Sequence, residues 1–261
     1  MKKLLLCVAL GYCATTAALA VTPLWMRDVK ISPDGEQIAF TYKGDIYKVS
    51  SKGGTAVRLT SQPTTYESAP VWSPDGKQIA FASDRYGGSD VFVMSADGGT
   101  PVRLTFNGAK ETPVAFTPDG KNVIFTASIQ APASTAQFPT TRLSQLYSVP
   151  TKGGRAVQIL GTAAESVSFL PDRQSFVYQD IKGFEDTWRK HHISSVTRDI
   201  WLYNAPQNSH TNLSAHPGED LNPVISPDGT TVYMLSERNG GSMNVYSFPV
   251  ANPQQVTPLT S

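Results

Sequence analysis

Short stretches of alternating apolar and polar residues run along most of the chain, and no segment places apolar residues at a convincing helical spacing. QIAFAS (Gln78–Ser83) and NVIFTA (Asn122–Ala127) show the alternation. A period of two puts apolar side chains on one face of a β-strand. The pattern therefore predicts an all-β protein.

One turn sequence recurs between pairs of predicted strands. Proline fixes φ at its second position, aspartate can bond to its own backbone, and glycine tolerates the exit geometry. Copies of this Ser-Pro-Asp-Gly turn and its variants begin at Ser32, Ser73, Thr117, Leu170 and Ser226. Their prolines are 41, 44, 53 and 56 residues apart, which indicates an internal repeat whose later copies carry insertions.

Each copy of the turn joins the first two strands of a unit, and two further strands follow. The third strands are DIYKVS, DVFVMS, QLYSVP, DIWLYN and NVYSFP, beginning at Asp45, Asp90, Gln145, Asp199 and Asn244. A glycine-rich hairpin then leads to a short fourth strand, as in AVRLT (Ala56–Thr60). Four-stranded units with a period of about 40 to 45 residues are typical of β-propellers.

We therefore predict a β-propeller of four-stranded blades, five of them visible, with approximate bounds 24–60, 66–106, 110–160, 163–214 and 219–260. A β-sandwich of unrelated strands would not explain why one turn recurs at one place in the pattern. No closing strand is visible after the fifth blade, and an open ring leaves strand edges exposed. We expect an incomplete ring and a longer parent protein.

The first twenty residues have the pattern of a secretory signal peptide. Two lysines precede an apolar run too short to span a bilayer, and Ala18-Leu19-Ala20 matches a small-x-small cleavage site. A lipoprotein acylated at Cys13 is the alternative, but the bulky Tyr12 suits that processing poorly. We expect cleavage after Ala20, a propeller over 21–261, and an exported protein, periplasmic or secreted.

Composition narrows the function classes. Both cysteines, Cys7 and Cys13, lie in the leader, so disulfide and thiolate chemistry are excluded from the mature chain. Loss of Lys2 and Lys3 leaves 20 basic residues against 21 acidic ones, which does not favour nucleic acid or anionic lipid as a partner. No later apolar run approaches the roughly 20 residues of a membrane span.

Two long insertions separate the second and third strands of units three and four, at 128–142 and 181–197. In a propeller both would emerge on the same face, and loops on a rigid scaffold commonly carry recognition. Their basic and aromatic side chains are candidate peptide contacts: Arg142, Trp188, Arg189, Lys190, His191, His192 and Arg198. A structural loop, whose basic groups bond carboxylates or carbonyls, is the alternative.

The second insertion has no recognisable metal or catalytic motif. Adjacent His191 and His192 point to opposite sides of an extended backbone and cannot readily share one metal ion. Ser194 and Ser195 lie outside a G-x-S-x-G elbow, although a triad assembled in space stays open. The sequence therefore assigns no catalytic residue, cofactor or metal.

Other polar residues have structural explanations. The aspartates of the repeated turn are turn residues and not an acid–base set. Asp84-Arg85 and Glu237-Arg238 each follow a predicted second strand. We expect these pairs to bond with neighbours or to cap the following loop.

Three stretches carry a resemblance to known proteins. FASDRYGGSDVFVMSADGGTPVRLT (81–105) resembles the repeat of TolB-type proteins and tricorn-like proteases. PLWMRDVKISPDG (23–35) and FEDTWRKHHISSVTRDIWLY (184–203) are similar to the amino-terminal propeller of exported tricorn-like serine peptidases of bacteria. The resemblance covers essentially the whole mature chain.

This resemblance implies a parent with a second propeller, a PDZ-like module and a carboxy-terminal peptidase domain bearing the serine nucleophile. It implies that the first propeller has six blades, of which five are present. It also implies that this propeller admits peptides or unfolded polypeptides to the peptidase domains and is itself non-catalytic. Assembly into a homo-oligomer is left open.

Two alternatives remain. A periplasmic TolB-like interaction propeller would have no enzymatic activity, but TolB carries an α/β domain before its propeller, whereas here the first repeat starts close to the predicted cleavage site. Prolyl-oligopeptidase relatives place a propeller ahead of an α/β-hydrolase domain. The sequence that follows Ser261 in the gene would discriminate among the three.

Overall fold

The computed structural model describes residues 25–129, 143–183, 194–240 and 242–261. Within these ranges the regular secondary structure consists of 19 β-strands. The prediction of an all-β fold is confirmed.

The first two blades are separate four-stranded antiparallel sheets with their strands in chain order. The first contains β1 (Arg27–Ile31), β2 (Gln37–Tyr42), β3 (Asp45–Ser50) and β4 (Val57–Arg58). The second contains β5 (Glu67–Trp72), β6 (Gln78–Ser83), β7 (Asp90–Ser95) and β8 (Val102–Arg103).

The third and fourth blades share one seven-stranded sheet. Its strands are β9 (Thr112–Phe116), β10 (Asn122–Ala127), β11 (Gln145–Pro150), β12 (Val157–Phe169), β13 (Phe176–Asp180), β14 (Ile200–Asn204) and β15 (Ser209–Asn212). β12 pairs with β11 through its first part and with β13 through its second part. This strand is therefore the last of one blade and the first of the next.

The fifth blade is again a separate four-stranded sheet. It contains β16 (Asp220–Ile225), β17 (Thr231–Ser236), β18 (Asn244–Pro249) and β19 (Thr257–Pro258).

The blades stack face to face around one axis. Their first strands, β1, β5, β9, β12 and β16, are neighbours in that order. Apolar side chains of facing sheets form a buried layer between successive blades; in the first layer, Ala39 and Ile46 share a cluster with Phe81 and Phe92 of the second blade. Each sheet thus covers its apolar face with the next copy, as expected for a propeller.

The ring is open between the fifth and first blades. Within the described residues, β16 and β1 lack the close contact that joins the other neighbouring first strands. Ile31 of the first blade and Val224 and Leu259 of the fifth are exposed apolar side chains. The expectation of an incomplete ring is confirmed for the five blades described.

Side-chain hydrogen bonds hold the repeated turn. In the second blade the Ser73 hydroxyl donates to Asp75 Oδ1 at 2.6 Å, and the N–H of Lys77 donates to the same oxygen at 3.1 Å. The bond from Ser73 lowers the pKa of Asp75. Equivalent hydroxyl–carboxylate bonds occur at Asp34, Asp119 and Asp228. These aspartates are turn residues, as predicted.

Candidate functional site

The first strands of the five blades surround a cavity of about 1080 Å³. Each blade contributes to its wall, for example with Asp28, Ala69, Val114, Ser166 and Asn222. The first strand of each blade is the one nearest the axis of the ring, so its residues make up most of the cavity wall. Residues 107–110 also line the cavity, as do Ser128, Ile129 and Ser144.

Every first strand is bulged where it borders the cavity. The pairing register shifts between Arg27 and Lys30 in β1, and at the equivalent places in β5, β9, β12 and β16. A bulge inserts an extra residue and disrupts the regular ladder locally. The inner wall is therefore built from irregular strand edges.

Four of the bulges contain a residue other than glycine with positive φ. These residues are Asp28 (52°), Ala69 (52°), Ser166 (50°) and Asn222 (53°). Two of their N–H groups donate to the preceding blade: Ala69 to Asp28 Oδ2 at 3.1 Å, and Asn222 to Gln179 Oε1 at 2.9 Å. The unusual backbone thus joins neighbouring blades across the wall.

The charges of the described cavity wall balance. Its charged residues are the carboxylates Asp28 and Glu165 and the two cations Lys30 and Lys110. Asp28 accepts a bond from the Thr41 hydroxyl at 3.0 Å, and Glu165 accepts one from the Gln179 amide at 3.0 Å. The cavity combines these charges with serines, threonines and aliphatic side chains, so it can contact a polypeptide without selecting strongly for its charge.

Arg198 is the one predicted peptide contact within the described residues. Its side chain is 21% exposed and forms an ion pair with Glu219 at 3.2 Å. Its Nε lies 3.8 Å from the carboxylate of Glu165, a residue of the cavity wall. Arg198 therefore braces the wall through carboxylates. The other six candidates, Arg142, Trp188, Arg189, Lys190, His191 and His192, lie outside the described residues.

Ion pairs recur at the start of the first strands. Arg85 pairs with buried Glu67 and bonds the Ser83 hydroxyl at 3.0 Å. In the fifth blade Arg238 pairs with Asp220 at 3.0 Å and bonds the Ser236 hydroxyl at 2.9 Å. These contacts show the expected structural role of Asp84-Arg85 and Glu237-Arg238.

The third blade has the carboxyl group that forms this ion pair in the second and fifth blades, but it has no guanidinium at the position of the arginine. Glu111 occupies the position of Glu67, but Ile129 occupies that of Arg85. Glu111 is 1% exposed, and its Oε2 has no hydrogen-bond partner among the described residues. Burial raises the pKa of Glu111 to about 7. A hydrogen bond with Thr105 has the opposite effect and lowers this pKa.

Neither a metal site nor a membrane helix is found in the described ranges. No group of three or more histidine, cysteine, aspartate and glutamate side chains there is arranged to hold a metal ion. No helix among those residues has the length and hydropathy of a membrane span.

The cavity wall and the buried carboxyl group of Glu111 were not predicted from the sequence. The repeat itself contained a signal for the wall, because the first strand of every unit is innermost in a propeller. Aligning the units after their second strands would also have shown Ile129 in place of Arg85.

Comparison with known sequences identifies relatives of the whole described ring. The profile of the family described as "Tricorn protease N-terminal beta propeller domain" matches residues 23–261. "Tricorn protease homolog 1" of Streptomyces coelicolor is 28% identical over 211 residues, which cover 80% of this chain and 18% of that protein. The chain thus spans less than a fifth of this relative.

Solved structures share the fold. The structure assigned to TolB of Agrobacterium tumefaciens has a TM-score of 0.71 and 19% identity, with 92% of this chain and 82% of that chain covered. A crystal structure of the tricorn protease has a TM-score of 0.65 and 13% identity, with 90% of this chain and 26% of that chain covered.

Proposed function

Because the chain belongs to the family of tricorn protease amino-terminal β-propeller domains, we propose that it is the non-catalytic entry domain of a tricorn-like serine peptidase that degrades peptides. Peptides or unfolded polypeptides would pass its central cavity to reach the peptidase domains of the same protein. The observation that carries this proposal is the cavity of about 1080 Å³, which the first strands of all five blades line.

The size and construction of the cavity support selection by shape. The inner strands of the blades form the wall, and a cavity of about 1080 Å³ admits an extended segment of polypeptide but not a folded domain. The net charge of the described wall residues, two carboxylates and two ammonium groups, is zero. Selection would therefore depend on polypeptide width more than on sequence.

Export is part of the proposal. The predicted leader over residues 1–20 supports a periplasmic or secreted location. The peptide contacts predicted at 142, 188–192 and 198 also stay part of it, with Arg198 acting through Glu165 and Glu219.

A second candidate is a TolB-like propeller that binds other proteins and has no enzymatic activity. The likeness to the Agrobacterium TolB structure, which extends over 82% of that chain, favours it. A peptidase domain encoded after Ser261 would support the first candidate, and a stop codon after one further blade would support the second.

Narrowing the cavity tests the entry proposal. We would replace Ser128 and Ser144, which line it, with tryptophan in the full-length protein. Thr211→Trp, on the outermost strand of the fourth blade, is the matched control. The cavity variants should cleave peptides of about ten residues several-fold more slowly and dipeptide reporters at the original rate, because only long peptides would need the whole passage.

Equal loss of both activities in the cavity variants would contradict selection at the cavity. Unchanged cleavage of long peptides would contradict entry through it. Thr211→Trp should resemble the original protein in both assays.

A further inference from the structure

We propose that a polypeptide in the cavity does not pair with the wall as an added β-strand, and that the inner edges of the blades are built to prevent such pairing. The inference rests on the proposed passage of polypeptides. It specifies how they are held: through side chains and water, and not through a backbone ladder.

Four of the five inner strands are free sheet edges, whereas β12 is paired along its two parts with β11 and β13. β1, β5 and β16 each end a four-stranded sheet, and β9 ends the seven-stranded sheet. A free strand edge presents unpaired N–H and C=O groups, which recruit extended peptides by strand addition. Several regular edges facing one passage would therefore capture a polypeptide instead of releasing it.

The bulges remove that regularity at every inner edge. Strand addition needs several successive backbone groups in extended geometry. At Asp28, Ala69 and Asn222, on the edge strands β1, β5 and β16, the chain turns into the left-handed region instead. These bulges fall within strands of five to six residues in β1, β5 and β16, so no long regular stretch remains there.

Individual backbone N–H groups of the inner strands are also made unavailable to a peptide. The N–H groups of Ala69 and Asn222 are bonded to the preceding blade. Pro70, Pro113 and Pro223 lie in β5, β9 and β16 and have no N–H. Proline within a strand is a known protection of sheet edges. Three of the five inner strands therefore lack a donor next to their bulge.

Charge does not replace the missing backbone contacts. The two carboxylates and two ammonium groups of the described wall give no net attraction for an acidic or a basic peptide. Recognition by strand addition and recognition by net charge are thus both weak in this cavity. The arrangement suits passage of many sequences more than tight binding of one.

Backbone N-methylation of a peptide tests the inference directly. An N-methyl group removes a donor and blocks pairing, and the amides of alternate residues point to the same edge of a strand. The probes are an end-labelled decapeptide, a peptide methylated at odd positions and one methylated at even positions. A fourth peptide carries the same number of extra methyl groups on side chains as a control for bulk.

Fluorescence anisotropy with the full-length protein would measure the affinity of each probe. We expect both N-methylated peptides to bind within about twofold of the side-chain control, and Ser128→Trp with Ser144→Trp to weaken all of them. A loss of about tenfold or more for either methylation pattern would show strand addition and overturn the inference.

That loss would leave the proposed function intact, because it still shows peptides in the cavity. If no peptide bound, or if the tryptophan variants bound every peptide unchanged, polypeptides would not occupy the cavity. Both the proposed function and this inference would then be overturned.

Discussion

Glu111 shows how one residue can alter the behaviour of an otherwise repeated contact. Its counterpart Glu67 pairs with Arg85, whereas Glu111 is buried in a blade that has Ile129 at the position of Arg85. Burial raises the pKa of Glu111 to about 7, from an ordinary value of 4.5. Between these pH values the native protein keeps a proton that the unfolded chain releases, so stability falls as the pH rises through this window.

Replacing Glu111 with glutamine should therefore remove this pH dependence. We expect Glu111→Gln to match the original protein near pH 4.5 and to be more stable at pH 8 by about 1 to 3 kcal/mol, because the folded state no longer contains a buried, ionised carboxylate. Urea unfolding at a series of pH values would measure the difference.

Two variants serve as controls for this prediction. Glu67→Gln should destabilise the protein at both pH values, since it removes the charged partner of the partly buried Arg85. Ile129→Arg should supply Glu111 with a guanidinium and flatten the pH dependence. An unchanged slope in Glu111→Gln would show that another group titrates in this window.

The fourth strands show how a short element is held at the edge of a blade. β4, β8 and β19 are two residues long, and the chain is then held by a hydroxyl two residues later. Thr60 and Thr105 accept N–H bonds from the third strand at 2.9 and 2.8 Å, and Thr260 accepts one at 2.9 Å. Brief outer strands also limit edge-to-edge association.

Loss of the hydroxyl should cost more where the bond is buried. Thr105→Val leaves the N–H of buried Val91 without its partner, also removes the bond with Glu111, and should destabilise the protein by about 1 to 3 kcal/mol. Thr260→Val is the matched control, because its bond with Val245 is exposed and water can replace the hydroxyl. Urea midpoints would compare them, and equal losses would contradict the role of burial.

Elements with two paired neighbours were the most predictable from sequence. The predicted bounds are confirmed for four third strands, β3, β7, β11 and β18. Their apolar and polar residues alternate with a period of two, which marks a strand in sequence. β12 was not predicted as one strand, since Gly161 interrupts its pattern and the pairing changes partner along it. The contacts of Arg198 could not be predicted either, because Glu219 approaches from the next blade.

At the scale of the whole molecule, the two open faces differ in chemistry. On the first blade Phe40 and Tyr47 stack at 5.8 Å, as Phe81 and Phe92 do inside the ring. Phe40 is itself only 5% exposed, and Ile31 is an exposed apolar side chain of this blade. The fifth blade presents Tyr233 and Leu259, both partly exposed. A further four-stranded sheet of the same repeat would present an aliphatic face to the first blade and an aromatic face to the fifth blade. We propose such a sheet as the closure of the ring.

Leu104 and Leu259 test this closure because they occupy the same repeat position. Leu104 is 1% exposed between blades, whereas Leu259 is 50% exposed on the open face. Each follows a fourth strand and donates its N–H to the third strand at 2.8 Å. Leu104→Ala should cost about 2 to 5 kcal/mol in any form of the protein, because it leaves a cavity in a packed layer.

Leu259→Ala should behave differently in the 261-residue chain and in a protein that continues beyond Ser261. In the shorter chain the substitution should lower the free energy of unfolding by less than about 1 kcal/mol, because the Leu259 side chain is half exposed to solvent. In the longer protein the loss should approach that of Leu104→Ala, because a closing sheet would bury Leu259. Denaturant unfolding of both variants in both proteins gives the comparison. A loss at Leu259 that stays small in the longer protein would mean that the fifth blade keeps its face open.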